Sequence, residues 1–335
     1  MANKPVSRSV LFYKRMIAAI LALLILTLTG LSIFLGVTLH RVNGELDEAR
    51  DLLLTAQLKE AEAEAERLKN LIPPEQMKPM GEAVAPDILA NNTIIAHALG
   101  TVDGEEGLNC LEGFEASYAA GIRVFETDLR MTADGYVVLR HDWTKKLQEG
   151  VDPAHIPTLE EFMAKPILGK YTPLSFRDLL LLMVRYPDVC IITDTKITDA
   201  EAAAAQFRAM LEEAHKLGLS YLFDRMIVQV YSPEHFSAVN GVNHFPYYIY
   251  TLYQEAFDKT EEAFRRKAIF CQENGIMGIA MWDSWWDPDY APIADWRDVK
   301  VYAHTVNDTQ KAKSLLRSGI RAVYTDTITP ADMEG

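Results

Sequence analysis

Two hydrophobic periods alternate along this chain from about residue 88 onward. Short apolar runs at 93–97, 122–128, 136–141, 189–194, 226–230, 247–252, 276–281, 299–304 and 321–325 read as buried strands. Amphipathic stretches of helical period fill most of the gaps between them. Leu111 to Ala120 stops at Gly121, Ser175 to Arg185 stops before Pro187, and Asp199 to Leu217 stops at Gly218. Pro233 opens a short helix behind Ser232, Glu255 to Asn274 stops at Gly275, and Asp308 to Arg317 precedes Gly319. These boundaries follow capping chemistry. Strand–helix alternation of this length implies a parallel sheet, most simply a closed (β/α)8 barrel of the TIM type over 88–335. Nine candidate strands are one too many for eight. The link from Leu129 to Gly135 is too short for a parallel crossover, which needs about a dozen residues. Thr132-Ala-Asp-Gly135 is turn chemistry, so 126–141 predicts a hairpin-like excursion or an irregular pair in the barrel wall.

The first three runs each deliver an ionisable group at the C-terminal end. Thr93 to Ala96 ends on His97, Ile122 to Phe125 leads into Glu126-Thr-Asp128, and Tyr136 to Leu139 ends at Arg140-His141-Asp142. Glu126 and Asp128 are two apart, so on a strand they share a face. Paired carboxylates repel unless a cation lies between them, and a hard cation with oxygen ligands suits them. His97 and His141 could then exchange protons with a reacting group. Further on, Asp194 and Lys196 share a face at the end of the apolar run Ile191-Ile-Thr.

The order His97, Asn109, Glu126-x-Asp128, Thr132-x-Asp134-Gly135, His141-Asp142 resembles the glycerophosphodiester phosphodiesterase family. That pattern ends its first strand on His-Arg-Gly, continues with Glu-Asn-Thr, and then has Glu-x-Asp, Thr-x-Asp-Gly and His-Asp. The resemblance covers most of residues 92 to 328 and implies a TIM barrel with its site at the C-terminal strand ends. It implies that Asp194 is the third metal carboxylate, here in place of a glutamate, and that Lys196 is the lysine that follows it. Glu126, Asp128 and Asp194 would then hold Mg2+ or Ca2+. It also implies that His97 and His141 are the catalytic pair, one removing a proton from a substrate hydroxyl and the other protonating the leaving oxygen. Which is base and which is acid is open. Two positions depart from the pattern: the family arginine is Ala98, and the glutamate before Asn109 is Leu108. Lys196 or Arg140 is expected to supply the missing cation, and Asn109 to remain as a polar contact.

Later strand ends carry Gln229, Tyr250, His304 and Asp326, which could face the pocket, and His304 lies where the family often has an aromatic residue. His155, His215, His235 and His244 read as loop or helix-surface groups. Four of the five tryptophans, Trp282, Trp285, Trp286 and Trp296, follow the run at 276–281. Trp282 and its neighbours could line a substrate groove, dock on lipid or cage a choline headgroup, or simply pack on neighbouring helices.

The first 87 residues follow other patterns. Met16 to Leu39 is apolar and uncharged, long enough to span a bilayer of about 20 residues with some tilt. A cleavable signal would have a shorter core and a small-x-small site, which Val37-Thr-Leu-His40 is not. Residues 16–39 therefore read as a transmembrane helix behind a basic tail, 1–15. Lys4, Arg8, Lys14 and Arg15 in that tail place the N-terminus in the cytoplasm and the large domain outside the cytoplasmic membrane. Residues 40–72 read as a helical stalk. Its Leu54, Leu58, Ala61, Ala65, Leu68 and Ile72 form a short, weak coiled-coil seam that could pair two copies as a homodimer. Residues 73–87, with four prolines, read as a linker.

The formal charge is −14, with the four positive charges of the tail included, so the rest of the chain is more acidic still. That excludes nucleic-acid binding through clustered Lys and Arg and favours metal cations. Cys110, Cys190 and Cys271 have no disulfide or zinc spacing and read as buried thiols. These features converge on a membrane-anchored, metal-dependent phosphodiesterase. Its expected substrates are glycerophosphodiesters, lysophospholipid-like molecules or a glycerol-phosphate polymer. A barrel impaired by Ala98 and kept as a cell-surface binding module or scaffold is the alternative. A metal-independent lyase is disfavoured by the three carboxylates.

Overall fold

Each predicted apolar run forms a strand. In the computed structural model, residues 84–144 and 155–334 are described, together with Thr38 and Arg41. The strands are β1 Ile94–Ala96, β2 Val124–Met131, β3 Val137–Leu139, β4 Cys190–Asp194, β5 Met226–Val230, β6 Tyr248–Thr251, β7 Gly278–Trp282, β8 Lys300–His304 and β9 Ala322–Thr325. The sheet order is β1-β9-β8-β7-β6-β5-β4-β2-β3. A further parallel pairing, Ala96 opposite Phe125, closes β1 onto β2. All strands except β3 are parallel, which makes an eight-stranded closed barrel.

β3 is the ninth strand, and it resolves the surplus as a hairpin. It runs antiparallel to the end of β2, with Leu129 opposite Leu139 and Met131 opposite Val137. The turn between them is locked locally. Thr132 N donates to Tyr136 O at 2.8 Å, the Thr132 hydroxyl donates to Asp134 Oδ1 at 2.6 Å, and Gly135 adopts φ +86°. That left-handed value suits glycine. Pairing with β3 also extends β2 through Met131, three residues beyond the predicted end.

Strand alternation sorts the side chains into two cores. Ile95, Val124, Cys190, Ile192, Ile227, Ile249, Ala280, Tyr302, Ala322 and Tyr324 fill the barrel interior. The intervening residues, among them Phe125, Ile191, Val228, Ile279, Val301 and Val323, face the helices in the larger core. The helices are α1 Ala85–Ala90, α2 Leu111–Ala119, α3 Leu159–Met163, α4 Phe176–Arg185, α5 Ala200–Lys216, α6 Pro233–Val242, α7 Glu261–Glu273, α8 Ala291–Arg297, α9 Thr309–Arg317 and α10 Pro330–Met333. Capping sets several starts. Ser175 and Asp178 form a capping box on α4, and Asp199 Oδ1 accepts from Ala202 N at 2.8 Å on α5. Such caps contribute about 1 kcal/mol each. α7 begins six residues later than predicted because Thr260 caps it, while Glu255 accepts from the Tyr250 hydroxyl at 2.7 Å.

α1 closes the N-terminal end of the barrel. Its Ala85 and Leu89 are buried within the interior cluster, and Arg321 Nη2 donates to Leu89 O at 2.8 Å. Burying a leucine in this way is worth about 1.5–3 kcal/mol. The helix starts inside the stretch expected to be linker. The three cysteines are free and buried, as expected.

The chain divides into two compact units, Met1–Asn70 and Leu71–Gly335. Of the first, Thr38 and Arg41 are described, and both are helical. The rest of the expected tail, transmembrane span and stalk, and residues 73–83 of the linker, lie outside the described residues. Among the described residues no helix is long and apolar enough to cross a membrane.

Candidate active site

The alternation that fills the barrel with apolar side chains continues to the C-terminal strand ends, where its last inward members are polar. Val124 is followed on the same face by Glu126 and Asp128, and Cys190 and Ile192 by Asp194. β2 and β4 pair in register, with Glu126 opposite Ile192 and Asp128 opposite Asp194. Carboxylate oxygens of Glu126, Asp128 and Asp194 therefore converge within 4.8 Å of one another, and all three residues are buried.

Each carboxylate has its own bracing. Glu126 Oε2 accepts from the Ala98 backbone N–H at 2.8 Å and lies 3.9 Å from His97 Nε2. Asp128 Oδ2 accepts from Asn109 Nδ2 at 2.7 Å, and its Oδ1 is 2.9 Å from Lys196 Nζ. Asp194 Oδ2 accepts from Lys196 Nζ at 2.5 Å and from the Tyr253 hydroxyl at 2.8 Å, and its Oδ1 accepts from the Tyr231 hydroxyl. The charges follow from these contacts. Burial and then the neighbouring Asp128 charge push the Glu126 carboxyl up to about 8. Burial would raise Asp128 and Asp194 too, but the Lys196 ammonium outweighs it and holds both below the usual carboxylate range.

The two predicted histidines sit on opposite kinds of ground. His97 is mostly buried, and its Nδ1 is 2.7 Å from Asp326 Oδ1. Burial alone would lower its pKa. The Asp326 hydrogen bond and the charges of Glu126 and Asp128 override that and raise it to about 9. Asp326 is itself anchored by Asn307 Nδ2 at 2.8 Å. The His141 side chain is 41% exposed, and its Nδ1 is 2.8 Å from Asp142 Oδ2. Each imidazole thus has a carboxylate on Nδ1, which leaves Nε2 to act.

Facing these groups are aromatic rings from β6 to β8. The Tyr253 ring stacks on His304 at 5.0–5.1 Å spacing typical of this cluster, with Tyr253 to His304 at 5.1 Å and Trp282 to His304 at 5.0 Å. The His304 ring also meets His97 edge-on at 5.0 Å. Burial, then the His97 and Lys196 charges, push His304 down to about 3, so it is neutral at physiological pH.

The sequence model of the glycerophosphoryl diester phosphodiesterase family matches residues 104–329. The chain belongs to that family. The match places the protein among the phosphoric diester hydrolases, and it begins after His97 and Ala98. A glycerophosphodiester phosphodiesterase of Thermotoga maritima is 19% identical, with a TM-score of 0.51 over 74% of this chain and 96% of that one. A phosphodiesterase of Oleispira antarctica, in complex with the product sn-glycerol-3-phosphate, is 16% identical, with a TM-score of 0.57 over 72% and 95%. A glycerophosphodiester phosphodiesterase of Parabacteroides distasonis is 17% identical, with a TM-score of 0.57 over 70% and 92%. These likenesses show a shared fold.

Within this family fold, several residues take places other than those expected from sequence. Asn109 is fully buried, and its Oδ1 accepts from Asp128 N and the Thr127 hydroxyl, each at 3.0 Å. It holds a carboxylate strand in place. Arg140 is buried, with Nε on the Asp142 carbonyl at 2.7 Å, so it supports the turn that carries His141. Tyr250 faces outward to Glu255 and Lys267, away from the pocket. His235 is buried, not a surface group, and its Nε2 is 3.2 Å from Ile197 O, beside the loop that carries Lys196. The tryptophans separate: Trp282 is 38% exposed in the aromatic cluster, whereas Trp286 donates to the Ser318 hydroxyl and Trp296 is 69% exposed beside Arg297.

Ala98, expected from sequence to stand in place of an arginine, lies in a left-handed stretch of backbone. It is buried at φ +49°, Leu99 follows at +63° and Gly100 at +94°. A Cβ on Gly100 would meet Ser117 Oγ at 1.9 Å, so glycine is required there. Tyr231, Tyr253 and Asn307 were missed from sequence. Tyr231 and Tyr253 lie just past the ends of β5 and β6, the one signal that could have found them.

The acidic cluster fits a hard divalent cation. Glu126 Oε1 is buried with no hydrogen-bond partner, a costly state for a carboxylate unless a cation meets it. Three carboxylates supply an all-oxygen donor set of the kind Mg2+ or Ca2+ takes.

Proposed function

We propose that the protein is a membrane-anchored, metal-dependent phosphodiesterase that hydrolyses glycerophosphodiesters or related lipid and glycerol-phosphate substrates outside the cytoplasmic membrane. One observation carries the catalytic part: two carboxylate-backed imidazoles flank a buried three-carboxylate cluster at one end of the barrel. Glu126, Asp128 and Asp194 would hold Mg2+ or Ca2+, which when bound supplies positive charge against the phosphodiester. One imidazole Nε2 takes the proton of a substrate hydroxyl beside the phosphorus. That oxygen bonds to phosphorus, the bond to the leaving oxygen breaks, and the second imidazole protonates that oxygen. Water then opens the cyclic phosphate with the proton roles reversed. The sn-glycerol-3-phosphate held by the Oleispira antarctica protein supports a glycerol-phosphate product. The apolar, uncharged run 16–39 supports the anchor, and the heptad-like spacing from Leu54 to Ile72 supports a homodimer.

The full-length protein, assayed on glycerophosphodiesters and lysophospholipids, is expected to turn over substrate with added Mg2+ or Ca2+ and to stop with chelator. Turnover unaffected by chelator would refute the metal requirement. Metal binding without turnover on any of these substrates would favour the binding-module reading, to which the buried Ala98 lends support.

A further inference from the structure

We infer that the Lys196 ammonium is the resident counter-ion of the carboxylate cluster, and that a divalent cation must displace it and so release it toward the substrate phosphate. The inference rests on the metal-dependent reading above. The acceptor sites of the cluster show why. Asp194 Oδ2 already takes Lys196 Nζ and the Tyr253 hydroxyl, at 2.5 and 2.8 Å. Asp194 Oδ1 takes the Tyr231 hydroxyl, whose oxygen in turn accepts from the Lys196 backbone N–H at 3.0 Å. A carboxylate oxygen has about two acceptor sites, so Oδ2 is saturated with the ammonium as one of its two donors. Asp128 Oδ1 lies 2.9 Å from the same ammonium. Among the three carboxylates, Glu126 Oε1 alone is buried without any donor or cation contact in the described structure.

The backbone builds this arrangement in. Lys196 follows β4 at φ +51°, a left-handed value that a residue with a Cβ seldom adopts. The bend returns the side chain over its own strand end, with the ammonium 6.0 Å from the Tyr253 ring centre and the side chain 8% exposed. A divalent ion drawing on the oxygens of Asp128 and Asp194 would lie close to the ammonium that already contacts them, and the two like charges repel. Loading the cluster with a divalent ion is therefore an exchange. The flexible four-carbon stem of lysine allows its head to move while its base stays fixed. With position 98 buried and uncharged, the released ammonium supplies a phosphate partner at the moment the metal is in place. Metal loading and phosphate binding are coupled through one side chain.

Calorimetric titration of the full-length protein with Ca2+ tests this. Lys196→Met is expected to bind Ca2+ at least tenfold more tightly than the wild type. Equal or weaker binding by the variant, with the wild type binding normally, overturns the exchange and leaves the metal-dependent reading standing. Absence of binding in both proteins overturns the two together. A second measurement needs no variant: mass-spectrometric acetylation rates of lysines in the wild type, with and without saturating Ca2+. Lys196 is expected to react several-fold faster with Ca2+ while exposed lysines such as Lys170 are unchanged. An unchanged or slower rate at Lys196 overturns the exchange even where Lys196→Met does not fold.

Discussion

Around the barrel mouth, β1 to β4 end in His97, Glu126, Asp128, His141 and Asp194, whereas β6 to β8 lead into Tyr253, Trp282 and His304. Both halves obey the same inward alternation, so the backbone does not distinguish them. What differs is how each side is held. The ionisable half is cross-braced: Asn109 holds Asp128, Asp326 holds His97, and Lys196 bridges Asp128 and Asp194. The aromatic half is held by ring contacts of about 5 Å and is left neutral by the depressed pKa of His304. The contrast suits a division of labour, with charge movement on one side and recognition of the non-reacting part of the substrate on the other.

The sharpest way to break this division is His97→Ala. It is expected to lower kcat by about 10²–10⁴-fold, the usual scale for a general acid or base. Thermal unfolding of the same variant should show a fold retained. Loss of KM alone, with kcat intact, would assign His97 to recognition and erase the contrast.

A smaller effect concerns pH and the metal-free protein. The folded pKa of His97 is raised to about 9 from 6.5, so its stabilising contribution is complete below about pH 6.5 and is lost as pH rises toward 9. Glu126 is raised to about 8 from 4.5, so the folded state holds a proton there that the unfolded chain has released. Stability again falls as pH rises, here between about 4.5 and 8. Urea midpoints with chelator present are therefore expected to fall from pH 5 to pH 9, and saturating Ca2+ should flatten the slope. A rising midpoint would show that the carboxylates are not coupled as described.

The smallest effect belongs to the aromatic half. Trp282→Ala is expected to raise KM about 2–10-fold with kcat nearly unchanged, matching about 0.5–1.5 kcal/mol for an aromatic contact. A loss confined to kcat would place Trp282 with the chemistry.

Much of this architecture is legible from the chain itself. Short apolar runs locate all nine strands, and the turn Thr132-Ala-Asp-Gly135 flags the hairpin. The inward facing of Glu126, Asp128 and Asp194 follows from strand parity, because a strand fixes its side chains by position alone. Legibility ends where the strands end. Beyond β1, two left-handed residues decide that Ala98 is buried, and hydrophobic pattern carries no record of such dihedrals. Asn109 and His235 are polar by type, yet both are buried because nearby backbone and carboxylate groups satisfy them. Those partners lie far away in sequence: Asn109 meets Asp128, and His235 meets Ile197. The late start of α7 also comes from side-chain partners, since Glu255 accepts from the Tyr250 hydroxyl and pairs with Lys267 on the second turn of α7 while Thr260 caps the helix.

α1 has a role at a distance from its own contacts. It stands at the opposite end of the barrel from the carboxylates and closes that end with the buried side chains of Ala85 and Leu89. The column above it, from Ala85 and Leu89 through Ile95, Ile192 and Tyr324, is buried and largely apolar, with the Tyr324 hydroxyl turned to Gln229. In so weakly polarisable a medium, a charge at the mouth is felt strongly by its neighbours, whereas water would screen it several-fold. A short helix that touches no ionisable group of the site thus contributes to the low-dielectric floor beneath those groups.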